Sequence, residues 1–260
     1  MDLGLRDKVC VVTGASRGIG LEVSRRLVAE GARVLMIARG EAALQAAAQQ
    51  LGAEWLAADV TDPEAVERIV ATCAEQMGGV DVLVNNAGTS AVVALDDLTD
   101  EEWYAQLELN VMASMRLMRE AVPRMAKRGW GRVVNVASSS GKRPGQTNVA
   151  YAVAKAAQLS LSRAYADAYA DSGVRINAVA PGPTATGLWT GEGGMGDQSA
   201  ARAGITREEA LEVAAAKVPV GRLAEPGEIA DAIVFLCSER AEYVSGAAWS
   251  VDGGTVNIII

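Results

Sequence analysis

Histidine is absent from this 260-residue chain. That excludes every mechanism needing an imidazole base, the Ser-His-Asp arrangement included, and removes the commonest zinc ligand. Proton transfer must then run on Tyr, Lys, Asp, Glu or Cys, and no metal site is expected. Cysteine is scarce: Cys10, Cys73 and Cys237 are odd in number, widely scattered and set in apolar patterns. They read as reduced core residues rather than a disulfide framework. No apolar run is long enough to span a bilayer. Positive charge is in deficit, 24 Lys and Arg against 32 Asp and Glu for a net −8, so nothing invites nucleic acid or an anionic membrane. The segment from Met1 to Val9 carries Asp2, Arg6, Asp7 and Lys8 and has no apolar signal region. A cytoplasmic location is the expectation.

What is present, 50% hydrophobic and 22% charged residues, suits one compact domain over residues 1–260. The stretch Ser138 to Lys155 organises it. An apolar run, Arg132 to Ala137, precedes it as a buried strand, and an alanine-rich helix, Ala150 to Asp171, follows. Tyr151 and Lys155 are four residues apart and share a helix face. A cation beside a phenol lowers the tyrosine pKa and makes it a usable acid/base near neutral pH. Ser138 lies at the strand's C-terminal end, where open α/β sheets bind ligands. Hydroxyl, phenol and ammonium can thus converge on one substrate oxygen.

Before that stretch, Lys8 to Thr13 reads as a buried strand, Ile19 to Glu30 as an amphipathic helix and Arg33 to Ala38 as a second strand. Between the first two lies Gly14-Ala-Ser-Arg-Gly-Ile-Gly20, a glycine-rich turn spaced G-x-x-x-G-x-G. Its glycines let the backbone approach a pyrophosphate, and the helix N-terminus favours the negative charge. At the end of the second strand an acidic residue would hold the ribose 2′-hydroxyl of NAD; here stand Ala38 and Arg39. A small residue beside a guanidinium suits the 2′-phosphate of NADP, with Arg17 as a second charge. NADP(H) is therefore favoured over NAD(H), unless Arg39 is only a solvated loop residue.

The pattern continues with a helix over Glu41–Leu51 and strands at Glu54–Ala58 and Val80–Val84. Helices follow at Thr61–Met77 and from Thr99 through Asn110 to Lys127, with strands at Val174–Val179 and Ala247–Val251. Thr61/Glu64, Thr99/Glu102 and Thr206/Glu209 have capping-box spacing. Gly173 reads as the C-cap of the Tyr151 helix. The stretch Gly187 to Gly204 reads as irregular, the heart of a substrate lid over about residues 183–217, followed by helices Thr206–Lys217 and Glu228–Cys237. Seven strands alternating with helices give a single Rossmann-type, doubly wound α/β domain: a seven-stranded parallel sheet with helices on both faces.

These motifs in this order resemble the short-chain dehydrogenase/reductase family over nearly the whole chain. Thr13-Gly-Ala-Ser-Arg-Gly-Ile-Gly20 matches its T-G-x-x-x-G-x-G turn, Asn85-Asn-Ala-Gly88 its N-N-A-G, Tyr151-x-x-x-Lys155 its Y-x-x-x-K with Ser138 thirteen residues earlier, and Pro181-Gly182 its P-G. The resemblance implies that Tyr151 exchanges a proton with the substrate oxygen and that Ser138 orients that oxygen. Lys155 would bind the nicotinamide ribose, and Asn110, among apolar neighbours, would hold a water in a proton relay. It implies a nucleotide site of Gly14, Ser16, Arg17, Gly18, Ile19, Gly20, Arg39, Asp59, Val60, Asn86, Ala87, Gly88, Tyr151, Lys155, Pro181, Gly182, Thr184 and Thr186. Asp59 would contact adenine and Thr186 the carboxamide. Thr184 replaces a frequently aliphatic residue that acts through its backbone.

Ser138, Ser140, Gln146, Asn148, Tyr151, Leu188, Trp189 and Met195 are the expected substrate contacts, a polar end under an apolar lid. The expected activity is hydride transfer between NADP(H) and a secondary alcohol or ketone, as in a 3-oxoacyl-carrier-protein reductase-like enzyme. An NAD-dependent alcohol, sugar or steroid dehydrogenase and a non-catalytic nucleotide sensor stay open. The two long helices and the apolar tail Ile258–Ile260 lead to an expected homotetramer with the tail buried at an interface.

Overall fold

A strand covered on both faces reads as a continuous apolar run, and the central strands Val9–Thr13 and Val82–Asn85 are buried along their whole length. The computed structural model describes residues 1–257. Its strands are β1 (Val9–Thr13), β2 (Arg33–Ala38), β3 (Glu54–Ala57), β4 (Val82–Asn85), β5 (Gly131–Val136), β6 (Val174–Pro181) and β7 (Ala248–Val251). They form one parallel sheet in the order β3-β2-β1-β4-β5-β6-β7. The helices are α1 (Gly18–Ala29), α2 (Glu41–Leu51), α3 (Pro63–Thr72), α4 (Asp100–Leu107), α5 (Ala113–Lys127), α6 (Val149–Ala168), α7 (Gly187–Thr190), α8 (Met195–Ala203), α9 (Arg207–Ala216) and α10 (Pro226–Cys237).

Alternation along β1 divides the core into two layers. Cys10 and Val12 pack with Val23 and Leu27 of α1 and Ile229 and Ile233 of α10. Val9 and Val11 face the other way, onto Val66 and Ile69 of α3 and Leu117 and Val122 of α5. The chain moves outward from β1 to β3 and then returns to lay β4 on the opposite side of β1. That reversal opens a crevice at the carboxyl ends of β1 and β4. Cys10, Cys73 and Cys237 are all free and buried. Among the described residues no helix is long and apolar enough to cross a membrane. The expected role for Ile258–Ile260 lies outside the described residues.

Four local expectations change. The Thr61/Glu64 box does not form: Thr61 Oγ1 instead donates to Asp59 Oδ1 at 2.8 Å. Asp62 caps α3, accepting from Glu64 N, because Pro63 takes the first helical position. The boxes at Thr99 and Thr206 are present, and an unanticipated one joins Glu225 and Glu228. Helix α6 ends at Ala168, before Gly173. Gly173 is required instead because a Cβ there would lie 2.0 Å from the Gly129 carbonyl. The stretch expected to be irregular folds into α7 and α8. Gln198 of α8 pins it by accepting the Val92 amide at 2.7 Å.

Between α4 and α5 the helix widens into one π turn, Glu108–Met112. Asn110 sits in it, fully buried, and its Nδ2 donates to the Gln106 carbonyl at 3.0 Å and to Gln106 Oε1 at 2.9 Å. A side-chain amide that takes the carbonyl four residues back competes with the α-helical ladder, which accounts for the wider turn.

Candidate active site

The glycine turn between β1 and α1 is held from behind. Asn86 Nδ2 donates to the Thr13 carbonyl at 2.8 Å and the Gly14 carbonyl at 3.2 Å. Thr13 Oγ1 accepts the Asn86 and Ala87 amides, both at 3.0 Å. Gly14 has φ +64°, and a Cβ on it would lie 2.9 Å from Asn86 Nδ2. At Gly20 a Cβ would lie 2.4 Å from the Gly14 carbonyl. Gly20 is therefore buried packing beneath the turn and does not line the cleft, unlike the other predicted residues of the turn. No side chain caps α1 and no acidic residue sits in its first turn. Its leading amides thus suit an anion.

A cleft of about 610 Å³ runs from this turn along the strand ends. Gly14, Ser16, Arg17, Gly18 and Ile19 form one wall; Arg39, Asp59 and Val60 close the far end. Asn86, Ala87 and Gly88 lie on the floor, and Pro181, Gly182, Thr184 and Thr186 make the facing wall. Burial would raise the Asp59 pKa, but the Thr61 amide and hydroxyl and the Arg39 charge outweigh it and hold the carboxyl below its usual value. Arg39 itself is 77% exposed and 3.9 Å from Asp59, a weak tether. Thr184 spends its hydroxyl on the Gly182 carbonyl at 2.9 Å.

At the inner end Ser138, Tyr151 and Lys155 come together. Ser138 is extended at the end of β5, and its Oγ accepts the Ser140 amide at 3.1 Å. Lys155 is 3% exposed, and burial brings its ammonium down to about 7. Its Nζ lies 5.7 Å from the Tyr151 ring centroid and donates to the Val136 carbonyl at 2.7 Å. The expected lowering of the tyrosine pKa is not found. Burial raises the Tyr151 phenol above its ordinary value, and the neighbouring Ser138 hydroxyl only partly offsets that. The reason is distance and desolvation: the lysine is itself buried and spends its hydrogen bonds on the Val136 carbonyl and on Gln158. Asn110 is behind Lys155 and does not line the cleft. A Cβ on Gly88 would lie 2.9 Å from Asn110 Oδ1 and 3.5 Å from Lys155 Nζ, so only glycine fits between them.

A protein-family model described as enoyl-(acyl carrier protein) reductase matches residues 14–256. The chain belongs to the short-chain dehydrogenase/reductase family. It is 36% identical over 254 residues to 3-oxoacyl-(acyl-carrier-protein) reductase FabG of Vibrio cholerae, covering 97% of this chain and 98% of that one. It is 34% identical over 261 residues to D-beta-hydroxybutyrate dehydrogenase of Cupriavidus necator, covering 97% and 99%. Its structure matches that of L-sorbose reductase from Gluconobacter frateurii complexed with NADPH and L-sorbose, with a TM-score of 0.92, 37% identity and complete coverage of both chains. As a member of this family it is an oxidoreductase that uses a nicotinamide cofactor.

The cleft of this short-chain dehydrogenase/reductase fits such a dinucleotide. A side chain at Gly14 or Gly18 would fill the cradle: the Cβ of Gly18 would stand 3.2 Å from Thr186 Cγ2. At the substrate end Ser140, Asn148, Leu188, Trp189 and Met195 line the space with Ser138 and Tyr151. Gln146 does not: it is exposed on the loop before α6, outside the cleft. Sequence reasoning missed Ser90, which lines this end, is 6% exposed and has no hydrogen-bond partner for its Oγ among the described residues. Its place two residues beyond the Asn-Asn-Ala-Gly motif was the available signal. It also missed Gln158, three residues after Lys155 and so on the same helix face.

Proposed function

We propose that this enzyme is an NADP(H)-dependent reductase of 3-oxoacyl groups carried as thioesters. The observation that carries the reading is the Tyr151 phenol beside Ser138, at the inner end of a cleft whose outer end presents Arg39 and no acidic residue on β2, in a chain 36% identical to a 3-oxoacyl-(acyl-carrier-protein) reductase. A proton donor at neutral pH serves ketone reduction better than alcohol oxidation. The glycine turn and the α1 amides hold the pyrophosphate, Arg39 and Arg17 hold the 2′-phosphate, and Lys155 holds the nicotinamide ribose. Bound there, the cofactor supplies the hydride. Ser138 Oγ orients the substrate carbonyl oxygen. Tyr151 gives that oxygen its phenolic proton, so the ketone leaves as an alcohol, and the phenolate left behind regains a proton from solvent. Asn110 acts behind Lys155. Leu188, Trp189 and Met195 exclude water from above.

A second reading, reduction of a polyhydroxylated ketone, is favoured by the hydroxyls and amide of Ser90, Ser140 and Asn148 at the substrate end. The two separate in one assay. NADPH consumption is followed with an acetoacetyl thioester, with L-sorbose, and in reverse with 3-hydroxybutyrate. A kcat/KM for the thioester at least about tenfold above the others is expected, a margin of about 1.4 kcal/mol in transition-state binding. Preference for the sugar would overturn the acyl assignment while leaving the ketone chemistry intact.

A homotetramer belongs to the same proposal. Tyr104 is 69% exposed and Val153 46%, on the packed pair α4 and α6; Trp249, on the edge strand β7, is 43% exposed. Two separate apolar surfaces suit dihedral assembly better than a single dimer contact. Light scattering on the purified chain should give the mass of four subunits, and a sharp monomer peak would rule the assembly out.

A further inference from the structure

Beneath Lys155 runs a chain of buried polar groups that the reaction above does not use. Lys155 Nζ donates to Gln158 Oε1 at 3.0 Å, and Gln158 Nε2 donates to Ser114 Oγ at 2.9 Å. Ser114 Oγ donates to the Asn110 carbonyl of the π turn at 3.4 Å. Gln158 is 0% exposed and Ser114 4%. The polarity of the chain is fixed from its far end. A hydroxyl whose proton is spent on a carbonyl offers only lone pairs, so the amide must turn its NH2 toward Ser114 and its oxygen toward Lys155. Burying an amide on an alanine-rich face of α6 is costly unless both of its ends are paired, and an aliphatic side chain would fill the same place without that cost.

We propose that Gln158 is a positioning residue of this active site: its carbonyl holds the Lys155 ammonium in place and favours its charged form, while Ser114 fixes the amide and ties the lysine to the Asn110 turn. A carbonyl accepting from an ammonium favours the charged state, and in a dry site no solvent replaces it. Few other groups act on the lysine. From its own helix the titratable neighbour is Tyr151. From β5 come the Val136 carbonyl and Ser138, from the β4 loop the Gly88 backbone, and from the π turn the Asn110 amide. Among the described residues no carboxylate contributes, and burial is the one influence that pulls the ammonium down to about 7. The inference rests on Lys155 holding the nicotinamide ribose as proposed above.

The test is NADPH binding by fluorescence titration between about pH 6 and pH 10 on the full-length protein, with thermal unfolding to confirm folding. In Gln158→Leu the alkaline loss of affinity should begin about one pH unit lower than in wild type, the worth of one hydrogen bond to a charged group. In Gln158→Glu, where a carboxylate faces the ammonium, it should begin at higher pH. Ser114→Ala should move it in the leucine direction by less. If Gln158→Leu does not fold, the glutamate and Ser114 variants carry the same decision. Opposite shifts for Leu and Glu support the proposal, because a packing role has no sign. A midpoint that stays put in the folded Gln158 variants overturns it. Lys155→Met separates the two claims. If that variant binds NADPH like wild type at every pH, the role given to Lys155 is wrong. If it loses binding while the Gln158 variants behave as wild type, only the role of Gln158 is wrong.

Discussion

Tyr151→Phe should lower carbonyl reduction by about 10²- to 10⁴-fold, the usual loss for a general acid. Cofactor affinity should change far less, because the phenol's proton goes to the substrate. The wild-type pH dependence has a determined sign. Burial raises the phenol and Ser138 pulls it partly back, so the proton is present at neutral pH and is lost only as pH rises above the ordinary tyrosine range. At saturating NADPH, reduction should therefore hold through neutrality and fall at high pH. Oxidation of the product alcohol, which needs the phenolate, should climb over the same range. Steady-state rates in both directions for wild type and Tyr151→Phe decide the matter. A phenylalanine enzyme that still reduces its ketone at the wild-type rate would remove Tyr151 from the chemistry and take the acid/base scheme with it.

Arg39→Ala should weaken NADPH by about 10- to 100-fold and leave NADH nearly unchanged, since a hydrogen bond to a charged group contributes about 1.5–3 kcal/mol. The lower end is the better expectation. The side chain is 77% exposed, so water screens what it contributes. Its 3.9 Å approach to Asp59 is too loose to hold it away from a phosphate. Titrating both cofactors against both proteins gives the answer directly. Equal losses for NADPH and NADH would mean that Arg39 supports the loop rather than the phosphate. Tighter NADH binding in the wild type would turn the assignment toward a dehydrogenase.

The parts of this site that could be read from sequence are those whose geometry is local. A glycine turn between a strand and a helix, a tyrosine and a lysine one turn apart, and a serine at a strand end each carry their placement in their spacing, and the parallel sheet followed from the alternation of strands and helices. What escaped depends on contacts between distant segments. Gln158 meets Ser114 across two helices, 44 residues apart in sequence. The raised tyrosine reflects burial, which no spacing rule reports. Capping boxes failed where a neighbour competed: Thr61 matched the pattern, but Pro63 set the helix start one residue later and Asp59 claimed the hydroxyl. Gln146 was misplaced because the loop before α6 turns it outward, and Gly173 because its requirement comes from Gly129 on another loop.

The three buried cysteines have a practical consequence. Burial pushes the Cys73 and Cys237 thiols up to about 12 and raises Cys10 well above its usual value. At neutral pH these thiols stay protonated, and the thiolate is the form that attacks alkylating agents and peroxides. Together with the missing histidines, this leaves the native surface nearly silent toward thiol-directed and imidazole-directed reagents. A single cysteine introduced on an exposed position of α8 could then carry a fluorophore as a site-specific reporter, without first stripping the native residues.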